Sequence, residues 1–270
     1  MKTIDLIVSD LDDTLLNGEG VISPFTAEVL RRAIQRGIRL VPASGRTMAS
    51  MRPIVEPLHT GMPYIGGNGS EIISAGHTLL EQLTLDLDTA RDICRQMAQR
   101  GIYAQVYAGD TFYYGAECEA SRKYRRSSGM RGVAVGDLAA FLDFPTPKVL
   151  CVAEPEEVAR LQPLMNERYR GRAAFTVSKP YFLEAEPPGA SKGEALRRLS
   201  RYLPIDPERT LAFGDSLNDL SLLAFTPHSV AVENARPELK QAAAYVCGPN
   251  TQDGPARFVL EHVLNDAESR

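Results

Sequence analysis

A strand, a helix and a second strand follow one another at the start of the chain, and this pattern constrains the fold more than any other feature. Residues 6–8 form an apolar run typical of a buried strand, and residues 38–41, which are apolar except for Arg39, also predict a buried strand. Between them, Ser23 suits the N-cap of a helix and Pro24 its first position, and apolar residues then recur at helical spacing. A strand, a helix and a strand of these lengths favour a right-handed βαβ unit in a parallel sheet.

The last third of the chain repeats this alternation, whereas the middle does not. The stretch "SKGEALRRLSRYL" predicts a helix capped by Ser191, and "RTLAFGDS" and "HSVAVEN" predict strands. In the middle, aromatic strands with hairpin-like gaps alternate with helical stretches, which favours an inserted α+β unit. We therefore predict an α/β fold with a Rossmann-like parallel-sheet core at residues 1–82 and 189–270 and an α+β insert at residues 83–188.

Charge and cysteine content argue against several classes of protein. The formal net charge of −4 argues against a broad nucleic-acid interface. We find neither a signal-peptide pattern nor an apolar run long enough to span a bilayer, so we expect a cytoplasmic protein without a membrane partner. The 4 cysteines are far apart and form no CxxC pair, which predicts neither a zinc site nor a disulfide framework. The oligomeric state is left open, with a monomer among the options.

Polar residues gather where the predicted strands end. Ligands of open parallel sheets bind beyond the carboxyl ends of the strands. Carboxylates as close in sequence as Asp10, Asp12 and Asp13 repel one another and resist losing water, so a positive partner should offset them. Three polar clusters follow predicted strands: Asp10, Asp12 and Thr14; Ser44, Gly45 and Arg46; and Gly214, Asp215, Ser216, Asn218 and Asp219.

These residue types suit the transfer of a phosphoryl group. Carboxylates are the hard oxygen ligands that Mg²⁺ takes together with water and substrate phosphate. Lys192, at the first turn of a predicted helix, and the Ser44 hydroxyl supply the positive charge and hydrogen bonds that a phosphate needs. Asp10 can attack phosphorus to give an aspartyl-phosphate, and Asp12 can protonate the leaving oxygen and later deprotonate water. A metal ion would offset the repulsion between Asp10 and the phosphate, which is a few kcal/mol at about 4 Å.

Four motifs resemble those of the haloacid dehalogenase-like superfamily and occur in that family's order. They are "DLDDT" at residues 10–14, "ASGR", "SKGEAL" and "GDSLND". The resemblance implies that Asp10 is the nucleophile and a Mg²⁺ ligand, and that Asp12 is the acid/base and gives the metal its backbone carbonyl. It also implies phosphate binding by Ser44, Lys192, Asn218 and the backbone of Leu11 and Gly45, metal binding by Asp215, and supporting roles for Thr14, Arg46 and Asp219.

The position of the insert narrows the resemblance. It lies between the second and third motifs, which defines a type-2 cap in this superfamily, and "PYIGGNGSEI" and "SVAVENARPELKQAAAYV" resemble the Cof-like, class IIB sugar-phosphate phosphatases. This implies a C2B cap that closes over the site, with hinges near Leu83 and Pro188. It also implies a Mg²⁺-dependent phosphoric monoester hydrolase whose substrate is a small phosphorylated metabolite such as a sugar phosphate. Asp13 stands where relatives commonly have glycine.

Other functions and other residue roles stay open from the sequence alone. A phosphomannomutase-like enzyme would form the same intermediate and pass the phosphoryl group to a second sugar hydroxyl, and a non-catalytic metabolite-binding module would share the fold. Arg46 is expected either to contact the substrate or to form a salt bridge with Asp10, and Asn68 is interpreted as a turn residue. The cationic stretch "SRKYRRSSGMRG" is either a basic lip that attracts phosphate esters or a solvated face. Tyr113, Tyr114 and Tyr181 are expected to fill the core of the insert.

Overall fold

Within residues 3–265, which the computed structural model describes, the strands form three sheets. None of the helices in this range has the length and apolar content needed to cross a membrane. The strands are β1 (Leu6–Ser9), β2 (Arg39–Pro42), β3 (Tyr64–Gly66), β4 (Glu71–Ile73), β5 (Leu79–Gln82), β6 (Tyr103–Ala108), β7 (Thr111–Tyr114), β8 (Arg131–Ala134), β9 (Val149–Val152), β10 (Ala174–Val177), β11 (Phe182–Glu186), β12 (Thr210–Gly214), β13 (His228–Val232) and β14 (Tyr245–Cys247). The helices are α1 (Pro24–Gln35), α2 (Met48–Val55), α3 (Leu87–Gln99), α4 (Glu119–Ser128), α5 (Leu138–Phe141), α6 (Pro155–Arg168), α7 (Lys192–Leu199), α8 (Leu220–Leu223), α9 (Pro237–Ala242) and α10 (Gly254–Val259).

Both ends of the chain build one parallel sheet, in the order β14–β13–β12–β1–β2. β1 lies inside this sheet, where Leu6 pairs with Thr210 of β12 on one side and with Arg39 of β2 on the other. Every residue of β1 is buried, as expected of a parallel strand that is covered on both faces. The carboxyl ends of β1 and β12 lie side by side, with Ser9 opposite Phe213. The residues that follow these two strands therefore emerge at one edge of the sheet.

Helix α1 forms where the sequence predicts it and connects β1 to β2. Ser23 caps the helix, because its hydroxyl oxygen accepts a hydrogen bond from the Thr26 amide at 3.0 Å, and Pro24 occupies the first turn. The buried face of the helix, including Val29 and Leu30, packs into the apolar core beside the sheet. Two parallel neighbouring strands joined by this helix confirm the predicted βαβ unit.

The middle of the chain forms a second, six-stranded sheet, in the order β10–β11–β9–β6–β7–β8. Neighbouring strands are antiparallel except β7 and β8. Helices α3 and α6 bury side chains such as Ile93 and Leu161 in a cluster with Val106. Tyr107, next along β6, points to the opposite face and packs with Phe112. The predicted fold class, a parallel-sheet α/β core with an inserted α+β unit, is confirmed.

The structure also contains elements that the sequence analysis did not predict. Strands β3, β4 and β5 form a small antiparallel sheet, which a bridge between Ala43 and Ile65 joins to the segment after β2. The cationic stretch forms much of helix α4 and the start of β8. Tyr114 is buried in the insert as expected, but Tyr181 is 43% exposed, so the expectation that it fills the core was wrong.

Candidate active site

The residues that follow β1 and β12 meet the start of helix α7 at a buried ion cluster. The Lys192 ammonium donates hydrogen bonds to Asp10 Oδ1 at 2.5 Å and to Asp219 Oδ1 at 2.6 Å. All three side chains are at most 6% exposed. Asp10 reaches this position because its amide continues the sheet ladder, donating to Phe213 O at 3.1 Å. Lys192 reaches it because it is the first residue of α7.

The loop after β1 is a tight, irregular turn that begins at the buried Leu11. The Leu16 amide donates to Leu11 O at 2.8 Å and closes the turn. Asp13 has a φ of 58°, in the left-handed region that favours glycine and that aspartate tolerates better than most residues. This explains why glycine suits position 13. The turn also brings Thr14 Oγ1 to Asp215, to which it donates at 3.2 Å, so the ends of two strands are tied together.

Three carboxylates at this edge of the sheet could share a metal ion. Asp10, Asp215 and Asp219 each offer an oxygen atom within 4.8 Å of the other two. Burial and the neighbouring carboxylates raise the pKa of Asp10 to about 7 and that of Asp215 to about 9, although the Lys192 ammonium opposes both shifts. A divalent cation would favour the ionised forms of these hard oxygen donors. The donor set therefore fits such an ion.

Asp219 is held differently from the other two acids. Its Oδ2 accepts hydrogen bonds from the backbone amides of Asp215 and Ser216, at 3.0 and 3.1 Å. Its Oδ1 accepts from Lys192. Because both oxygens are engaged within the protein, Asp219 is placed to position Lys192 and the loop after β12.

Asp12 is paired with an arginine and stays apart from the acidic cluster. The Arg46 guanidinium donates from Nε to Asp12 Oδ2 and from Nη2 to Oδ1, both at 2.8 Å. Burial raises the pKa of Asp12, but the hydrogen bonds and charge of Arg46 outweigh burial and hold that pKa below its usual value. The salt bridge that was expected between Arg46 and Asp10 is found with Asp12 instead. The Asp12 carboxylate is thus held in a salt bridge and is not one of the three carboxylates that group together.

The loop after β2 brings the predicted phosphate-binding residues together. Ser44 is 1% exposed, and its Oγ accepts a hydrogen bond from the Arg46 amide at 3.2 Å. A Cβ atom on Gly45 would lie 2.8 Å from Asn68 Oδ1, so glycine permits this close approach. Asn218 Nδ2 donates to the same Asn68 oxygen at 2.9 Å. Asn68 therefore joins the loop after β2 to the loop after β12.

Asn68 does more than form a turn. Its φ of 53° is typical of a turn asparagine, but it is buried, and its amide nitrogen donates to Glu184 Oε2 at 3.1 Å and also to Glu186 Oε1. Glu184 Oε1 accepts from the Lys148 ammonium at 2.5 Å. The same ammonium donates to Gly45 O at 2.6 Å. A buried polar network thus links the loop after β2 to strand β11 and to the segment before β9.

The three charged residues of this network were not predicted, although the sequence contains a signal for them. In strand β11, Glu184 and Glu186 alternate with Leu183 and Ala185, and all four residues are buried. Acids at two-residue spacing point to one face of a strand, and buried acids need partners. Lys148 lies directly before an apolar strand, and a charged residue at such a position likewise indicates that a partner of opposite charge is needed.

A cavity of about 1060 Å³ opens at the ion cluster. It is large enough to enclose a small metabolite. Lys123 belongs to the cationic stretch, part of which therefore borders the cavity. The lining includes Asp10, Asp12, Ser44 and Asp215 from the strand ends, and Lys123 and Lys148 from the insert.

Comparisons with known proteins agree with this geometry. A family model described as haloacid dehalogenase-like hydrolase matches residues 7–259. The chain is 28% identical to the 5-amino-6-(5-phospho-D-ribitylamino)uracil phosphatase YwtE of Bacillus subtilis, over 94% of this chain and 96% of the relative. It is 30% identical to phosphatase YwpJ of the same species, over 96% and 99%. A crystal structure of a haloacid dehalogenase-like hydrolase from Bacteroides thetaiotaomicron aligns with a TM-score of 0.84 at 28% identity, over 96% of this chain and 99% of that chain.

The family match includes the parallel sheet and the six-stranded sheet of the insert. It begins in β1 and ends with α10, so it includes the parallel sheet and the whole insert. Both curated relatives are phosphatases, which confirms the enzyme class that the motifs implied, a phosphatase hydrolase. The chain belongs to the haloacid dehalogenase-like hydrolase family.

Proposed function

We propose that the protein is a Mg²⁺-dependent phosphatase that hydrolyses small phosphate monoesters through an aspartyl-phosphate on Asp10. The observation that carries this proposal is the placement of Asp10. Its carboxylate contacts the Lys192 ammonium, groups with the carboxylates of Asp215 and Asp219, and borders the cavity. Because the substrate and the nucleophile are both negative, displacement at phosphorus by a carboxylate requires positive charge at this place.

The charge of the site supports a divalent cation. Lys192 pairs with both Asp10 and Asp219, and Arg46 pairs with Asp12, so these two cations are shared among three aspartates while Asp215 lies beside them. We assign the metal to the side chains of Asp10 and Asp215 and to the backbone carbonyl oxygen of Asp12. When bound, Mg²⁺ offsets the repulsion between the nucleophile and the phosphate and polarises the phosphoryl oxygens.

The phosphoryl group is bound by groups around Asp10. Burial would lower the pKa of Lys192, but the carboxylates of Asp10 and Asp219 outweigh burial and raise that pKa, so the ammonium stays charged. A charged donor of this kind makes strong hydrogen bonds to phosphoryl oxygens. The rest of the proposed set is the Ser44 hydroxyl, the Asn218 amide and the backbone amides of Leu11 and Gly45.

The reaction consists of two displacements. In the first, an oxygen of Asp10 bonds to phosphorus, the ester P–O bond breaks, and Asp12 gives a proton to the departing alcohol oxygen. In the second, Asp12 takes a proton from water, the water oxygen attacks phosphorus, and the bond between Asp10 and phosphorus breaks to release inorganic phosphate.

Asp12 has to be protonated before it can act as the acid. Arg46 holds it ionised in the arrangement described above, so the proposed mechanism requires this pair to open when the substrate binds. Arg46 Nη1 also donates to Ser127 O, at the end of α4, at 3.3 Å. A movement of α4 would therefore disturb the partners of Arg46 and with them the protonation of Asp12.

We further assign residues 83–188 to a mobile cap on a core formed by residues 1–82 and 189–270. The strands of the six-stranded sheet and the helices α3 to α6 all lie within this insert. The hinges would lie near Leu83 and Pro188, where the chain crosses between the two parts. Closure of a cap excludes water from the reaction and completes the binding site.

The names of relatives support a small phosphorylated metabolite as the substrate. YwtE is named for a phosphorylated ribityl group attached to uracil, and a relative from Serratia proteamaculans, 28% identical to this chain, is named HMP-PP phosphatase. We propose a sugar phosphate or a similarly small phosphorylated metabolite for this chain.

Replacement of the nucleophile tests the mechanism. Asp10→Asn should lower the release of inorganic phosphate from a panel of phosphate monoesters by at least about 10³-fold, because an amide cannot form the acyl-phosphate. Addition of EDTA to the unmodified protein should have an effect of similar size. Asp13→Asn is the matched control, since Asp13 is an exposed acid of the same loop that asparagine can replace at a positive φ.

Two outcomes would overturn this function. Full activity of Asp10→Asn would show that Asp10 is not the nucleophile. Turnover that moves the phosphoryl group between hydroxyls of one sugar, without release of inorganic phosphate, would identify a mutase. Both are read from the same assay by measuring inorganic phosphate and the sugar products together.

A further inference from the structure

The cavity wall formed by strands β9 and β11 carries an apolar pair, Val152 and Phe182, next to the pair of Leu150 and Glu184. We propose that the substrate carries an aromatic or heteroaromatic ring in its leaving group, and that this ring binds against Val152 and Phe182. The proposal rests on the phosphatase function given above and adds to it the class of alcohol that leaves.

The pairing of the two strands determines which side chains share the wall. Leu150 lies opposite Glu184, and Val152 lies opposite Phe182. Side chains of a strand alternate between its two faces, so these two pairs point to the same side of the sheet. All four residues line the cavity. Their neighbours Leu183 and Cys151 point the other way, into the apolar cluster under α3 and α6.

The polar end of this wall lies at the phosphate-binding loop. Glu184 accepts a hydrogen bond from Asn68, and Lys148, two residues before Leu150, donates to Gly45 O. Two residues of a strand span about 7 Å. The pair Val152 and Phe182 therefore lies about 7 Å along the strands from the pair Leu150 and Glu184, a separation that a short linker between an ester oxygen and a ring can span.

At Val152 and Phe182 the wall carries apolar and aromatic surface that is open to the cavity, next to the polar lining residues Glu154, Ser178 and Lys179. Phe182 is half-buried, and its ring meets that of Tyr181 edge-on, with centroids 4.7 Å apart and planes at 80°. Tyr181 is 43% exposed and also lines the cavity. An aromatic face that is open to a binding cavity offers a surface on which the ring of a ligand can pack.

Within the class of small phosphorylated metabolites proposed above, a sugar phosphate without a ring substituent makes fewer favourable contacts with this wall than one that carries such a ring. The hydroxyl groups of the sugar would lose water against Leu150, Val152 and Phe182, which offer no hydrogen bonds in return. A planar ring buries apolar surface at the same place and packs against the Phe182 ring. The wall therefore favours a phosphate ester with a ring over one with only hydroxyl groups.

The test compares two classes of phosphate ester. Pyridoxal 5′-phosphate and flavin mononucleotide are the ring-bearing probes, and glucose 6-phosphate and glycerol 3-phosphate are the probes without an aromatic ring. We expect kcat/KM to be at least about tenfold higher for the better ring-bearing probe, because filling an apolar pocket gives discrimination of this size. Phe182→Ala should lower kcat/KM for the ring-bearing probes about tenfold, mainly through KM, and change it less than about twofold for the others.

Matched variants separate loss of the ring contact from loss of folding. Phe141→Ala removes a phenylalanine of the same insert that is 37% exposed and does not line the cavity, and it should affect neither class of ester. Tyr181→Ala, at an exposed position, should reduce selectivity in the same direction as Phe182→Ala. Equal effects of Phe182→Ala on both classes, or a preference of the unmodified protein for the sugar and glycerol esters, would overturn the proposal.

A binding measurement tests the ring site independently of the phosphatase function. The four esters are also titrated calorimetrically into the Asp10→Asn variant, which removes turnover from the measurement. Tighter binding of the ring-bearing probes, lost in Asp10→Asn/Phe182→Ala, supports the ring site even where no ester is hydrolysed. Absence of hydrolysis alone would overturn only the phosphatase function, and equal binding of all four probes would overturn only the ring site.

Discussion

Glu186 and Glu184 are two buried acids on one strand that are neutralised in different ways. Burial and the charge of Glu184 raise the pKa of Glu186 well above its usual value of 4.5, so Glu186 holds a proton at neutral pH. Burial also acts to raise the pKa of Glu184, but the charge and hydrogen bond of Lys148 outweigh burial and lower it, so Glu184 is ionised. The network beside the phosphate-binding loop therefore contains one ion pair and one neutral carboxyl group.

Glu186→Gln is expected to make the protein more stable than the unmodified chain at neutral pH. Because the pKa of Glu186 is raised by folding, its proton is retained in the folded state and the unmodified protein loses stability as pH rises above 4.5. Glutamine avoids this loss and keeps the oxygen that accepts from Asn68 and Thr176. The gain in unfolding free energy should be small near pH 4.5 and should increase as pH rises toward 7.5.

Urea unfolding of both proteins at several pH values measures this difference. Glu184→Gln is the control, because its pKa is lowered and its ion pair with Lys148 is lost in the variant, so it should destabilise the protein at neutral pH. A Glu186→Gln variant that is less stable by the same amount at every pH would show that Glu186 is ionised in the folded protein.

The sequence predicts the residues of the catalytic motifs better than the residues that hold them. Asp10, Lys192 and Asp215 follow recognisable strands or caps, so their meeting at one sheet edge follows from topology alone. The contact of Asn68 with Glu184 depends on how the insert is placed against the core, which no local pattern specifies. The pairing of Arg46 with Asp12 and not with Asp10 depends on the irregular turn after β1, which the sequence does not specify either.

At the scale of elements, the segment that leads into β9 is joined to the core by a buried lysine. Lys148 and Glu184 side chains are each 3% exposed, and Lys148 also donates to Gly45 O. Removal of one member of a buried ion pair leaves an uncompensated charge, which is more destabilising than loss of the pair as a whole. The contact therefore fixes β9 and β11 relative to the loop after β2.

Lys148→Met should lower the unfolding free energy by about 3 kcal/mol, because Glu184 is left buried without its partner. The double variant Lys148→Met/Glu184→Gln should be more stable than the sum of the single effects predicts, by about 1 kcal/mol or more. Lys123→Met is the matched control, since the ion pair of Lys123 with Glu119 is on the surface, at 67% and 71% exposure, and should change stability by less than about 0.5 kcal/mol. Strictly additive effects at positions 148 and 184, measured by denaturant unfolding, would contradict the coupling.

Elements with strong apolar periodicity were predicted, and those without it were missed. Helices α1, α3 and α6 each bury a regular set of apolar residues, which the sequence shows directly. Helix α4 has almost no apolar residues, and its packing depends on Tyr124, which meets Phe112 edge-on at 5.0 Å between ring centroids. Strands β3 and β4 are three residues long, too short for an alternating pattern to be seen.

At the scale of the whole molecule, metal binding and stability should be coupled. Like charges at Asp10, Asp215 and Asp219 destabilise the folded protein when no cation offsets them, as the raised pKa values of about 7 for Asp10 and about 9 for Asp215 indicate. A ligand present at a hundred times its Kd and bound only by the folded state adds about 2.7 kcal/mol to the unfolding free energy. The acidic cluster should therefore make thermal stability depend on Mg²⁺.

Mg²⁺ should raise Tm by about 5 °C over the value in EDTA, as scanning calorimetry can measure. Asp215→Asn should lose most of this increase, and in EDTA it should be at least as stable as the unmodified protein because one buried like charge has been removed. Asp13→Asn should keep the full increase, because Asp13 is exposed and lies outside the group of three acids. An equal increase in Asp215→Asn would place the cation elsewhere.

The pairing of β1 with β12 has a consequence for synthesis on the ribosome. Leu6 finds its partner Thr210 only after the last third of the chain has been made, whereas every strand of the six-stranded sheet pairs within residues 103–186. Contacts between distant segments form more slowly than local ones, and nascent chains fold in the order in which complete units emerge. We therefore expect the nascent insert to fold first, while β1 is still without its partner β12. The catalytic carboxylates should come together only near the end of translation.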